Sequence, residues 1–323
     1  MISPEVKFAR KIFKKYNLSI PVDLKKVVKD YAKLEFRSIP IEGVDGVSIN
    51  LKNIEGKSPV VVVNSNISER RQFFTLAHEL GHLVIPWHLG TIIDEIYHQA
   101  FKDYLYVTIE GEANRFAAEL LMPEEWIIEQ YKSSSKDDLS KFHSFIADCT
   151  NVSLHAAAIR LIQILPENII YTAVNNDIVK HSGKTRGTQA TPQNSGEYFD
   201  KEHIQYSDYH TVLNHGNIQF NWWQLGSNIK LPNEEKRPWR EIQKVILESL
   251  NIINLDSFKS SLNGVLAGAN SMVKRTSNYS IKSIAVACIH RLKNRNDDFE
   301  GFMNHPEFKD FIYVRAKDFF DKE

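Results

Sequence analysis

SERRQFFTLAHELGHLVIP, residues 68–86, decides how this chain is read. Its apolar residues recur at helical intervals until Pro86 ends the pattern, and Asn66 with Glu69 has capping-box spacing at the start. Inside that helix His78-Glu79-Leu80-Gly81-His82 forms an HExxH motif. Side chains four apart share a helix face with Cβ atoms about 5–6 Å apart, so both imidazoles can reach one ion at about 2.0–2.1 Å per bond. Glu79 stands one step round the helix, beside the ion rather than on it. There it can take a proton from a coordinated water attacking a carbonyl. Gly81 keeps the helix thin where another segment must approach. From average composition a chance HExxH in a chain this long arises at roughly 1 %, which disfavours histidines placed only for packing.

A catalytic zinc site usually takes three protein ligands and a water. Three residues compete for the third place: Glu110, Glu112 and His88. EGEANRFAAELLMP reads as a helix from about Glu110 to Met122. On it Glu110 shares the small, apolar face of Ala113, Asn114, Ala117 and Leu121, whereas Glu112 points about 200° away. The helix face favours Glu110, with Asn114 one turn on, able to orient a ligand. His88 reproduces the HExxHxxGxxH spacing of the metzincin peptidases, but Ile85 stands where that pattern needs a glycine. An oxyanion stabiliser is also required. Tyr104, Tyr106, His88, His98 and His210 are candidates that the sequence does not rank.

Upstream, Ser3-Pro4-Glu5 starts a helix running to about Tyr16, and a second follows Pro21. Strands are expected over LEFRSI from Leu34, GVSINL from Gly46 and Val60 to Val63. Downstream come helices over EEWIIEQY, LSKFHSFIADCT and SLHAAAIRLIQIL, then the strand NIIYTAV from Asn168. The pair of helices before that strand has helix-turn-helix proportions. Leu154, His155 and Ala156 offer almost nothing to base edges, which favours an αα-hairpin under the first domain. HSGKTRGTQATPQNSG, residues 181–196, has no apolar side chain larger than Ala and reads as a linker or loop. The aromatic residues Tyr198, Phe199, Tyr206, Tyr209, Phe220, Trp222 and Trp223 read as core of a second domain. Helices follow near 239–250, 255–273, 281–292 and 308–320. The expected division is 1–180, a polar linker at 181–196, and 197–323.

With 40 Lys and Arg against 40 Asp and Glu, the chain has no net field to draw it onto nucleic acid or an anionic membrane. Its two cysteines, Cys149 and Cys288, have neither metal nor redox spacing and suit a reducing compartment. No signal-peptide core and no apolar run of about 20 residues occurs. A cytoplasmic location is the expectation, with neither membrane nor nucleic acid as partner.

Taken together, RRQFFTLAHELGH and EGEANRFAAELLMP resemble the ImmA/IrrE-type metallopeptidase family. The likeness extends upstream through SIPVDLKKVV and the GVSI and VVVVN strands, over roughly the first half of the chain. It implies an α+β architecture: a zincin-like N-terminal metallopeptidase domain with a small sheet beside the metal helix, followed here by a mixed, mainly helical C-terminal domain. It implies His78, His82 and Glu110 as metal ligands, Glu79 as catalytic base, and a helix-turn-helix repressor or similar regulator as protein substrate. Zinc suits the His/His/Glu set, and manganese or iron can occupy it too. The resulting expectation is a site-specific metallo-endopeptidase. The rival is a regulatory binding protein whose metal site is structural and whose C-terminal domain, a sensor or substrate recruiter, carries the function.

Overall fold

Pro4 at the first helical position and Glu5 in the first turn open α1 (Pro4–Lys15), as the sequence signature requires. The computed structural model describes residues 2–52, 56–95, 104–134, 138–204, 207–225, 231–232, 234–250, 252–275 and 279–323. Asp23 caps α2 (Leu24–Lys29) by accepting from the Lys25 amide at 3.2 Å, and α2 buries Leu24, Val27 and Val28. Four strands follow: β1 (Lys33–Arg37), β2 (Val44–Leu51), β3 (Val60–Asn64) and β4 (Gly90–Glu95). They form one sheet in the order β1-β3-β2-β4, parallel between β1 and β3 and antiparallel elsewhere. The first three lie where β-branched alternation put them. β4 falls in a stretch that the sequence left irregular.

Helix α3 (Glu69–Val84) is backed by β2 on one side and by α4 (Tyr104–Leu121) on another. Its N-cap is Ser68, not Asn66, whose side chain instead donates to Ser38 Oγ at 2.8 Å. α4 begins six residues before Glu110, a turn and a half earlier than expected. α1 is fastened along α4 by two ion pairs, Glu5 with Arg115 and Arg10 Nε with Glu119 Oε1 at 2.6 Å. α5 (Glu124–Ser133), α6 (Leu139–Thr150) and α7 (Leu154–Ile164) complete this part, with α7 lying against α5. Val61, Val63, Leu80, Phe116 and Leu120, all fully buried, mark its core.

The chain divides into two compact units, Met1–Ser135 with Lys141–Ile164, and Leu165–Glu323 with Lys136–Ser140. The boundary falls after Ile164 rather than near residue 180, because β5 (Ile169–Asn175) takes its hydrogen bonds from strands later in the chain. Its neighbours are β6 (Ile178–Lys184) and β8 (Ile218–Leu225), and β7 (Ser207–His215) completes an antiparallel sheet ordered β6-β5-β8-β7. Residues 181–196 are therefore no bare linker. His181 to Lys184 finish β6, and the loop after them buries Thr185, Thr188, Ala190 and Gln193. Polar side chains do the packing there: Ser182 Oγ donates to the Gln193 carbonyl at 2.6 Å and Gln193 Nε2 to the Tyr198 carbonyl at 2.8 Å.

Within the aromatic stretch, Phe220, Trp222 and Trp223 on β8 are buried as expected of core, whereas Tyr198 and Tyr209 are exposed; Tyr206 lies outside the described residues. The second unit continues with α8 (Trp239–Glu248), α9 (Leu255–Val273), α10 (Ile281–Lys293), α11 (Asn296–Met303) and α12 (Phe308–Phe320). These pack around Ile242, Leu266, Ile284 and Phe311. The α+β class holds: a small sheet with helices in the first unit, and a mixed, mainly helical second unit. Both cysteines are free thiols. Among the described residues no single helix is long and apolar enough to cross a membrane.

Candidate metal centre

Buried on all sides, the middle of α3 holds His78 at 1 % exposure and Glu79 and His82 at 0 %. Such burial of a carboxylate needs partners. Ser48 on β2 donates its hydroxyl to Glu79 Oε2, and Gly46, two residues earlier on the same strand face, lets the carboxylate lie against bare backbone. Lys52, at the end of β2, donates to the carbonyls of His82 (3.0 Å) and Leu83 in the last turn of α3. Burial lowers the Lys52 ammonium to about 8. The sequence reading missed Gly46, Ser48 and Lys52. The available signal was the period of two in GVSINL, which sets Gly46 and Ser48 on one face.

Against the opposite side of α3, Gly81 meets α4. A Cβ at Gly81 would stand 3.1 Å from the Phe116 ring and 3.3 Å from the Ala113 Cα, so the expected thin place in the helix is where α4 crosses. That crossing brings Glu110 to the histidines: its Oε2 lies 3.2 Å from His78 Nε2 and its Oε1 3.5 Å from His82 Nε2. The two Nε2 atoms are 3.0 Å apart. Among the described residues these three form the one group of His, Cys, Asp or Glu donors within ligating reach of one another.

The hydrogen bonds around the group fix where its protons sit. Asn114 Oδ1 lies 3.0 Å from His78 Nδ1 and accepts that N–H, so the lone pair of His78 is on Nε2. Glu112 Oε2 lies 2.9 Å from His88 Nε2 and, as a carboxylate, can only accept; His88 therefore carries its proton on Nε2. Its Nδ1, 2.8 Å from His82 Nδ1, then accepts the proton of His82, whose own lone pair is left on Nε2. Burial first, then the neighbouring His78, His88 and Lys52, holds His82 well below the usual imidazole range, which keeps it neutral at pH 7.

Two nitrogen lone pairs and a carboxylate thus face one another, and the buried Glu110 Oε1 accepts no hydrogen bond. Converging donors of this kind repel one another unless a cation stands between them. The separations of 3.0 Å between the two Nε2 atoms and 3.2 Å from His78 Nε2 to Glu110 Oε2 are also close to the edge of a zinc tetrahedron, about 3.3 Å for bonds of about 2.0–2.1 Å. The residues fit a small divalent ion.

His88 does not join this triplet. The chain turns after α3 through Pro86, with the His88 amide donating to the Ile85 carbonyl at 3.3 Å, and the ring arrives behind His82. Glu112, though on a different face of α4 from Glu110, meets it there. Of the oxyanion candidates, His88 is engaged at both nitrogens. His210 stacks on Trp223 in the second unit, with ring centroids 4.7 Å apart, and bonds to Asn221 Oδ1 at 3.0 Å. His98 and the side chains of Tyr104 and Tyr106 lie outside the described residues.

Residues 32–162 match the family model of the IrrE N-terminal-like domain, Peptidase_M78. The chain is 29 % identical over 101 residues to an uncharacterized immunity region protein 2 of Bacillus phage phi105, covering 30 % of this chain and 59 % of the relative. It is 31 % identical over 96 residues to the radiation response metalloprotease IrrE of Deinococcus deserti, covering 27 % of this chain and 33 % of that protein. The matched stretch thus spans less than two thirds of either relative. His78, Glu79, His82 and Glu110 all fall within the matched segment, and it is through that segment that the chain is similar to the IrrE N-terminal-like domain.

Proposed function

We propose that this protein is a metal-dependent endopeptidase that cuts a regulatory protein, with His78, His82 and Glu110 holding the ion and Glu79 serving as general base. The reading is carried by the convergence of three lone-pair donors from α3 and α4 on the helix that also carries the buried Glu79 carboxylate, which Ser48 holds. A divalent cation bound there, zinc by the chemistry of the donor set, lowers the proton affinity of a water and polarises a carbonyl. Glu79 takes the water's proton on a carboxylate oxygen and returns it to the departing amide nitrogen. Ser48 and Gly46 fix that carboxylate so that no reorganisation is needed as charge moves. Asn114 keeps the His78 lone pair on Nε2.

The family resemblance, together with a phage immunity-region relative and a radiation-response metalloprotease, supports a transcriptional repressor as substrate rather than general digestion. The protein's balanced charge accords with a protein partner rather than nucleic acid.

Glu79→Gln separates this reading from a structural metal site. The variant is expected to keep wild-type zinc stoichiometry by elemental analysis while losing cleavage of the repressor encoded beside its gene. A chelator should abolish wild-type cleavage, and added zinc should restore it. Cleavage by Glu79→Gln at the wild-type rate would remove the assigned base.

A further inference from the structure

His88 and Glu112 have no part in the ligand set, yet His88 is fully buried and every nitrogen it owns is spoken for. From Glu112 Oε2 the hydrogen bonds run to His88 Nε2 at 2.9 Å, from His88 Nδ1 to His82 Nδ1 at 2.8 Å, and through that ring to the Nε2 facing Glu110. The same Glu112 oxygen accepts the Trp87 indole N–H at 2.6 Å. Trp87 and His88 both belong to the segment that leaves α3 at Pro86, whereas Glu112 rides on α4 two residues from Glu110.

We propose that Glu112 and His88 are positioning residues that act on the metal through His82, forming a carboxylate-imidazole-imidazole relay that fixes the His82 tautomer and makes its Nε2 a stronger donor. The inference deepens the metal reading above and rests on it. A histidine ligand whose other nitrogen donates toward a carboxylate is held in orientation and made more basic. Here the carboxylate stands one ring further out. The intervening imidazole transmits the arrangement only because its proton is pinned on Nε2 by Glu112. Without Glu112, His88 can carry its proton on Nδ1 and face His82 donor to donor. His82 would then turn its ring or move its own proton to Nε2, where the ion belongs. His78 has the neutral Asn114 amide at its Nδ1, whereas the charge of Glu112 enters on the His82 side.

Zinc affinity, read by competition with a chromophoric chelator on the full-length protein, tests the relay without reference to peptidase activity. His88→Phe keeps the ring volume and removes both nitrogens; its zinc affinity is expected to fall roughly ten- to hundredfold. Glu112→Ala should fall by a comparable factor. Glu112→Gln, whose amide oxygen still accepts the His88 proton, should recover most of that loss. The decisive comparison is the double variant: in a relay, His88→Phe with Glu112→Ala binds zinc no more weakly than His88→Phe alone. Melting of the zinc-free variants reports whether any of them has lost its fold, and affinity is compared only among those that melt cooperatively.

Additive losses in the double variant, or His88→Phe affinity within twofold of wild type, would overturn the relay while leaving the metal site standing. A cobalt-substituted spectrum that changes coordination number in His88→Phe would overturn it too, since His88 would then be a ligand. A wild-type protein that takes up no divalent cation would overturn the metal reading and the relay with it.

Discussion

Gly46→Ala adds a single methyl to β2, and the structure says where it goes. A Cβ at residue 46 would lie 2.6 Å from the Thr75 methyl and 3.1 Å from the Glu79 Cδ, with one Glu79 carboxylate oxygen nearer still. Carbon atoms in contact prefer about 3.5–4.0 Å, so β2 and α3 must separate by roughly 1 Å or Glu79 must leave its rotamer. In an uncrowded strand the same change would stabilise the protein by about 0.4–1 kcal/mol through the unfolded chain's lost freedom. Overpacking here should instead cost about 1–3 kcal/mol. If Glu79 is the base, a displacement of about 1 Å should lower kcat by about 100-fold, or about 2.7 kcal/mol of barrier. The three atoms nearest the new methyl belong to Thr75 and Glu79, neither of them a proposed ligand, so zinc content should stay at the wild-type level. Denaturant unfolding, elemental analysis and single-turnover cleavage together read the three effects. A Gly46→Ala protein that is more stable than wild type and cuts at an unchanged rate would refute the close approach of β2 to the base.

Two further outcomes follow from burial elsewhere in the first unit. Glu119, 3 % exposed, takes Arg10 on one oxygen and the buried Arg160 on the other, so Glu119→Ala strands the Arg160 guanidinium. A loss of about 3–5 kcal/mol by urea unfolding is expected, and less than about 1 kcal/mol would show that water reaches Arg160. Burial pushes His143 down to about 4 from 6.5, with its Nε2 donating to the Leu154 carbonyl at 2.6 Å. Between pH 6.5 and 4 the unfolded chain therefore binds a proton that the folded protein refuses, and stability falls as pH falls, by up to about 3 kcal/mol. The wild-type and His143→Gln stability curves should converge on acidification through that window; parallel curves would mean His143 is solvated.

The parts of the site that were legible in sequence are those set by one helix at a time. His78 and His82 follow from a spacing of four, and Glu110 from the face it shares with Ala113, which α3 does meet at Gly81 together with Phe116. Ser48, Gly46 and Lys52 reach α3 from a strand some thirty residues away, and nothing local announces which strand will lie under Glu79. Glu112 points away from Glu110 on α4, and the helix alone does not show that the chain after Pro86 returns to meet it through Trp87 and His88. In the second unit the missed strands β6 to β8 turn on Asn176 and Asp177, at φ 51° and 58°, and on Gly216 at φ 56°. These are hairpin residues that left-handed backbone favours. Their polar composition reads as loop, and residues 185–193 pack through polar side chains that carry no apolar pattern.

The brace between α1 and α4 ties the helix that carries Glu110 to the opening helix of the chain. Glu5 and Arg10 grip Arg115 and Glu119, about one and a half and two and a half turns beyond Glu110 on the same rod, although α1 precedes the family-matched segment altogether. Trimming the first dozen residues would leave His78, His82 and Glu110 in the sequence but remove the ion pairs that brace α4, so if these residues hold an ion the truncated protein should retain it less well.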